Sequence, residues 1–217
     1  MRIEAVRQRL ASLPVPLPSG PDVLTPVLTD GLARSFAPRV AATDRSAAVL
    51  VMIVPDLAGS ARVVLTERPR YDGLHSGEVS FPGGKVEPGD ADPVATALRE
   101  ASEEIGLDPV EAGLEILGQL DEVWIPVSRF ALAPILAIAQ RTPVLVGSPV
   151  EVARILFPPL ASFLPDAPVR IVERTIRDWP LRFGAYPVET DDGDELLVWG
   201  ATARILGQLG ALAGGGD

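Results

Sequence analysis

Two apolar runs, "SAAVLVMIV" (46–54) and "FALAPILAIA" (130–139), constrain this chain more than anything else in it. Both fall well short of the roughly 18 to 20 residues that a membrane-spanning helix needs, so they read as core strands. The β-branched run "ARVVLTE" (61–67) follows the first across the turn-like "PDLAGS" and reads as its neighbour. Further strands are expected within 77–84, 114–125 and 169–176, and a strand running into a short helix within 152–164. Helices are expected over 2–12 and 199–212. Strands and helices follow no strict alternation and no repeat is visible, so the fold class is α/β (α+β), a mixed β-sheet between helices. With 217 residues, 47% of them hydrophobic, the chain can fill one large domain. We place that domain at 46–212, after an N-terminal extension of helix and Pro-rich connector (1–45) and before a mobile tail (213–217).

The clearest helix lies between Asp92 and Gly106. Asp92 suits the N-cap, Pro93 the first helical position and Gly106 the stop, while Val94, Leu98, Ala101 and Ile105 recur at helical spacing as the buried face. At ~100° per residue, Glu100, Glu103 and Glu104 fall within an arc of about 100°. Like charges so placed repel, and acids near a helix C-terminus oppose its dipole. Arg99 can pair with one of them; Glu100 and Glu104 then remain adjacent and like-charged, a conflict that a divalent cation would resolve. Acidic helix faces are ordinarily only solvated surface. The glycine pair Gly83–Gly84 shifts that balance, because a glycine backbone can approach a ligand closely and add a carbonyl or amide to the side-chain oxygens.

Composition narrows the chemistry. The chain has no cysteine and one histidine, His75, which removes disulfides, thiolate nucleophiles and multi-histidine metal sites. Oxygen ligands favour Mg²⁺, Mn²⁺ or Ca²⁺. A net charge of −10 argues against nucleic acid as a partner but leaves room for a small anionic substrate. No secretory signal develops in "MRIEAVRQRLASLPVPLP", where Glu4 and several arginines precede prolines, so a cytoplasmic location without membrane association is expected.

Residues 81–107 resemble the Nudix box, a glycine, five residues, a glutamate, seven residues, then Arg-Glu-apolar-any-Glu-Glu-any-Gly-apolar. Its second half is matched from Arg99 to Leu107, with Ala101 in the apolar slot. In the first half, counted from Gly84, the acid is Asp90 rather than Glu, and the segment before Arg99 is one residue longer. Upstream, "LTERPRYDGLHSGEVSFPGG" (65–84) resembles the signature of the coenzyme A pyrophosphatase branch through Leu65, Thr66, Arg68, Gly77, Phe81, Pro82, Gly83 and Gly84. Pro69 stands where Ser or Ala is usual, and Gly73 where a second Arg is expected.

The resemblance implies a Nudix-like α/β/α sandwich with a central mixed sheet. It implies hydrolysis of a nucleoside diphosphate linked to another group, with Mg²⁺ or Mn²⁺. For coenzyme A or its derivatives the products would be phosphopantetheine and adenosine 3′,5′-bisphosphate; NADH and ADP-ribose are alternative substrates, and a nucleotide sensor without catalysis is a further reading. Glu100, Glu104 and Gly84 are the expected metal ligands. Glu103 is expected as ligand or proton acceptor, and Arg99 as the residue that orients a glutamate. Arg68, Arg70, His75 and Phe81 are the substrate-side candidates. Glu87 and Glu151 are secondary acidic candidates, and Trp124, Trp179 and Trp199 are aromatic residues suited to stacking or to core packing. The partner implied is a small nucleotide; family members often form homodimers, for which the sequence identifies no interface.

Overall fold

Residues 45–55 form one uninterrupted strand because small and β-branched apolar side chains fit a pleated surface covered on both faces. The computed structural model describes residues 1–29, 45–69, 77–125, 128–176 and 178–215. In chain order the helices are α1 (Ile3–Leu10), α2 (Pro93–Ile105), α3 (Pro109–Ala112) and α4 (Gly200–Gly214). The strands are β1 (Val27–Leu28), β2 (Arg45–Pro55), β3 (Ala61–Val63), β4 (Leu65–Glu67), β5 (Val79–Ser80), β6 (Gly83–Lys85), β7 (Glu115–Gln119), β8 (Val123–Ile125), β9 (Phe130–Ile138), β10 (Arg154–Leu156), β11 (Arg170–Ile176), β12 (Trp179–Glu189) and β13 (Glu195–Val198).

The two apolar runs are the paired centre of the main sheet. β2 and β9 lie parallel from Arg45↔Phe130 to Ile53↔Ile138, with β3 and β6 on the outer side of β2 and β7 and β8 beyond β9, all antiparallel. Alternation then sorts the side chains into two layers. Ala48, Leu50, Met52 and Val54 face α2, packing on Ala97, Ala101 and Ile105. Ala47, Val49, Val51 and Ile53 face the other way, into a cluster shared with α1 and α4. Helices therefore cover both faces of a mixed sheet, as the sequence leads one to expect. On the α4 side a second sheet, β1-β12-β11 with β13 on β12, closes the molecule, and β10-β4-β5 forms a third.

Several expected elements differ in detail. The run 61–67 is two strands, because the chain changes sheets at Val64: β3 pairs with β2, whereas β4 pairs with β10 and β5. The run 114–125 is likewise two strands, both on β9. Within 77–84, β5 and β6 flank Phe81–Pro82, and the Pro82 carbonyl accepts the Leu50 N–H at 2.8 Å. The sequence leads one to expect no strand at β12 or β13, and Pro180, Gly184 and Pro187 weaken the strand signal of β12. Tertiary packing overrides them, and β12 pairs with β1, β11 and β13 together. Val94 and Leu98 are half-buried rather than buried, and Ala97 shares the inner face of α2 with Ala101 and Ile105. Ile3, Val6 and Leu10 of α1 join the core against α4, which runs to Gly214 and so takes in the first two residues assigned to the tail. The expected connector falls for residues 30–44 outside the described residues. Among the described residues no helix is long and apolar enough to cross a membrane.

Candidate active site

The site grows from how α2 begins and ends. Asp92 Oδ1 accepts the Ala95 N–H at 2.8 Å, and Gly106, at φ 63°, closes the C-terminus with its N–H on the Ser102 carbonyl at 3.0 Å. Fixed at both ends, the helix presents Ala97, Ala101 and Ile105 to the sheet, and Glu104 falls on that same inner face. Only 9% of Glu104 is exposed. Its carboxylate accepts the Gly83 N–H at 3.1 Å. Burial pushes its pKa up to about 7 against the pull of that N–H and of Arg68, and the negative charges of Glu100 and Glu151 push it the same way.

Glu100 lies directly against the glycine turn. A methyl group on Gly84 would stand 2.4 Å from Glu100 Cδ, so the missing side chain is what lets strand and carboxylate meet. Burial also raises the Glu100 pKa, opposed by Arg99 and reinforced by Glu103 and Glu151. Glu151, an exposed residue far along the chain, is thus within electrostatic reach of both inner carboxylates.

Arg99 organises the rest. Its Nε and Nη2 donate to the two oxygens of Asp90, each at 3.0 Å; Nη2 also donates to the Lys85 carbonyl at 3.0 Å. Nη1 donates to Glu100 at 3.0 Å and to Glu103 at 3.2 Å. The shorter acid on the longer loop therefore still reaches the arginine, helped by the Glu87 N–H at 2.9 Å and the Thr96 hydroxyl at 2.8 Å. The Arg99 guanidinium holds the Asp90 carboxyl far below the usual carboxylate range.

The three glutamates do not form one group. Glu100 and Glu104 point inward, whereas the Glu103 side chain is 58% exposed on the Arg99 side. The ~100° arc straddles the edge of the buried face, and Arg99 draws Glu103 outward across it. Among the described residues no three acidic or histidine side chains are gathered into a ready-made ion site. Glu87 is exposed at the loop, its N–H engaged by Asp90.

A cavity of about 500 Å³ opens beside the glycine turn on the α4 side of the sheet. Arg68, Phe81, Gly83, Gly84 and Lys85 line it, and so do Trp124, Trp199 and Arg204. Phe81 is 2% exposed and belongs to the core as well as to the cavity wall. Trp199 stacks on Phe183 with ring centroids 5.0 Å apart, and Trp179 opens β12. The candidates Arg70 and His75, with Gly73, lie outside the described residues. Lys85 and Arg204 escaped the sequence reading, although one signal was available for Arg204: it is the only charged residue in α4.

Comparison with known proteins places this geometry. The NUDIX domain family model matches residues 44–144. Nudix hydrolase 22, chloroplastic, of Arabidopsis thaliana is 40% identical over 191 residues, covering 81% of this chain and 57% of that protein. Nudix hydrolase 15, mitochondrial, of the same plant is 36% identical over 182 residues, covering 81% and 62%. An uncharacterized Nudix hydrolase NudL of Photorhabdus laumondii is 32% identical over 171 residues, covering 79% and 86%. The chain thus spans about three fifths of the length of the two plant proteins and most of the bacterial one.

Proposed function

The chain belongs to the Nudix hydrolase superfamily, and from that premise we propose that it is a Mg²⁺- or Mn²⁺-dependent pyrophosphohydrolase of coenzyme A or its derivatives, releasing phosphopantetheine and adenosine 3′,5′-bisphosphate. The observation that carries the substrate assignment is the run from Leu65 to Gly84, whose matched residues end in a turn set against Glu100 and Glu104.

The donors fit a hard divalent ion. Glu104 is buried and Glu100 half-buried, the charge of Glu100 disfavours that of Glu104, and Gly84 lies against Glu100, so the donors at hand are oxygens. Glu100, Glu104 and the Gly84 carbonyl would hold it. When bound, such an ion supplies positive charge against the oxygens of the diphosphate.

The remaining work falls to the chain itself. Arg68, at the cavity wall and close enough to lower the Glu104 pKa, grips a phosphate oxygen. Arg99 fixes Glu100 while Asp90 fixes Arg99. Water attacks one phosphorus, its proton passes to Glu151, and the bridging P–O bond breaks toward the leaving phosphate. Glu103, paired with Arg99, orients this network from outside.

Incubation with coenzyme A, NADH, ADP-ribose and 8-oxo-dGTP under Mg²⁺ or Mn²⁺, with products identified by mass, tests the reading. Coenzyme A is expected to yield phosphopantetheine, and Glu104→Gln to lower turnover by orders of magnitude. Gly73, standing where the signature has its second Arg, favours NADH or ADP-ribose as the second reading. Cleavage of either with coenzyme A untouched would replace the first.

A further inference from the structure

Among the described residues Arg204 is a cation with nothing to answer it. It lies in the second turn of α4, among the core residues Ala203, Ile205 and Leu206, and lines the cavity. Among the described residues its guanidinium has no hydrogen bond, ion pair or ring contact. Burial lowers its pKa, and no carboxylate among the described residues offsets this. An arginine does not shed its proton to escape such a cost, so the cost stands until an anion arrives.

Two features around it narrow the anion. Gly200, Ala201 and Thr202, the first turn of α4, line the same cavity, and Trp199 at the N-cap provides no side-chain capping bond. Three N–H groups without helical partners and a forked guanidinium together suit a compact, multiply charged oxyanion. Trp124 and Trp199 give the same cavity flat apolar walls, and Glu78 is its one carboxylate among the described residues. The core residues of α4 pack on the opposite face of the sheet from α2, and neither Glu100 nor Glu104 lines the cavity, so the anion Arg204 meets is separate from the diphosphate held near those two acids.

We propose that Arg204, with the open first turn of α4, binds a phosphomonoester that the substrate carries on its ribose, and so sets a preference for nucleotides bearing that extra group. This rests on the cavity beside Gly83–Gly84 being the substrate cleft of the proposed reaction. It makes Arg204 a specificity residue that acts on binding and not on bond cleavage.

Two comparisons test it separately from the proposed reaction. In calorimetry, adenosine 3′,5′-bisphosphate is expected to bind the native protein roughly 10- to 100-fold more tightly than AMP, the range of one good hydrogen bond to a charged group. In Arg204→Gln that ratio should fall to about threefold or less, and Arg204→Lys should recover part of it. In turnover, the native preference for coenzyme A over its 3′-dephosphorylated form should collapse in Arg204→Gln through KM and not kcat. Equal binding of both nucleotides by the native protein, failure of both to bind, or a ratio that survives Arg204→Gln would overturn the proposal. If Arg204→Gln does not fold, the native ratio and Arg204→Lys decide. If neither coenzyme is cleaved while the bisphosphate preference depends on Arg204, the proposed reaction fails and the binding site stands.

Discussion

At the scale of single residues, Glu104 carries the largest electrostatic tension in the site. Its pKa is about 7 when folded, against an ordinary value near 4.5. Between these values the folded chain binds more protons than the unfolded one, so stability is greatest below the lower value and is lost as pH rises through the higher. Without divalent ions, urea unfolding should show this group's contribution falling by roughly 3 kcal/mol between pH 4.5 and 8. Glu104→Gln should flatten that part of the profile; parallel profiles for the two proteins would contradict the burial argument. Asp90 acts through Arg99 on Glu100, so Asp90→Asn should weaken activity or ion affinity roughly 10- to 100-fold. A matching loss in Arg99→Lys, which cannot form the same fork, would place both residues in one network. Glu151→Gln tests the proton acceptor: a fall in kcat of roughly 100-fold or more is expected.

At the scale of elements, β6 and α2 meet through two glycines that do different work. A methyl group on Gly83 would come within 2.3 Å of the Ala48 carbonyl oxygen and 2.6 Å of Val49 Cα, and its φ of 156° is one that side chains rarely adopt. Backbone atoms in the sheet cannot yield, so Gly83→Ala should cost roughly 1–3 kcal/mol, visible as a lower Tm. A methyl group on Gly84 would instead meet the end of the Glu100 side chain, which can swing away. Gly84→Ala should therefore leave Tm nearly native while activity collapses, since the displaced carboxylate is one of the two inner acids. The opposite pattern, an active Gly84→Ala, would remove Gly84 and Glu100 from the site. The helix itself was readable in advance, because Asp92, Pro93 and Gly106 are local signals that act over one turn. β12 was not, because its prolines speak against a strand, and what outweighs them is pairing with three strands, its sequence neighbours β11 and β13 and the distant β1.

At the scale of the whole molecule, ion binding and folding are linked. An ion that binds only the folded chain stabilises it by mass action, and it must displace the proton from Glu104 to do so. Mg²⁺ or Mn²⁺ should thus raise Tm more at pH 8 than at pH 5.5, with Glu104→Gln losing most of the rise; a shift independent of pH and of Glu104 would place the ion elsewhere. Taken by itself, the sequence determined the central strand pair, the capped helix and the residue types of the site. Apolar alternation, capping and motif spacing are written in neighbours a few positions apart. Only the tertiary structure decided that Glu104 turns inward while Glu103 stays in solvent, that Asp90 still reaches Arg99, and that Arg204 faces the cavity by the glycine turn. Those outcomes depend on which face of a helix another layer covers, and chain segments far apart in sequence supply that layer.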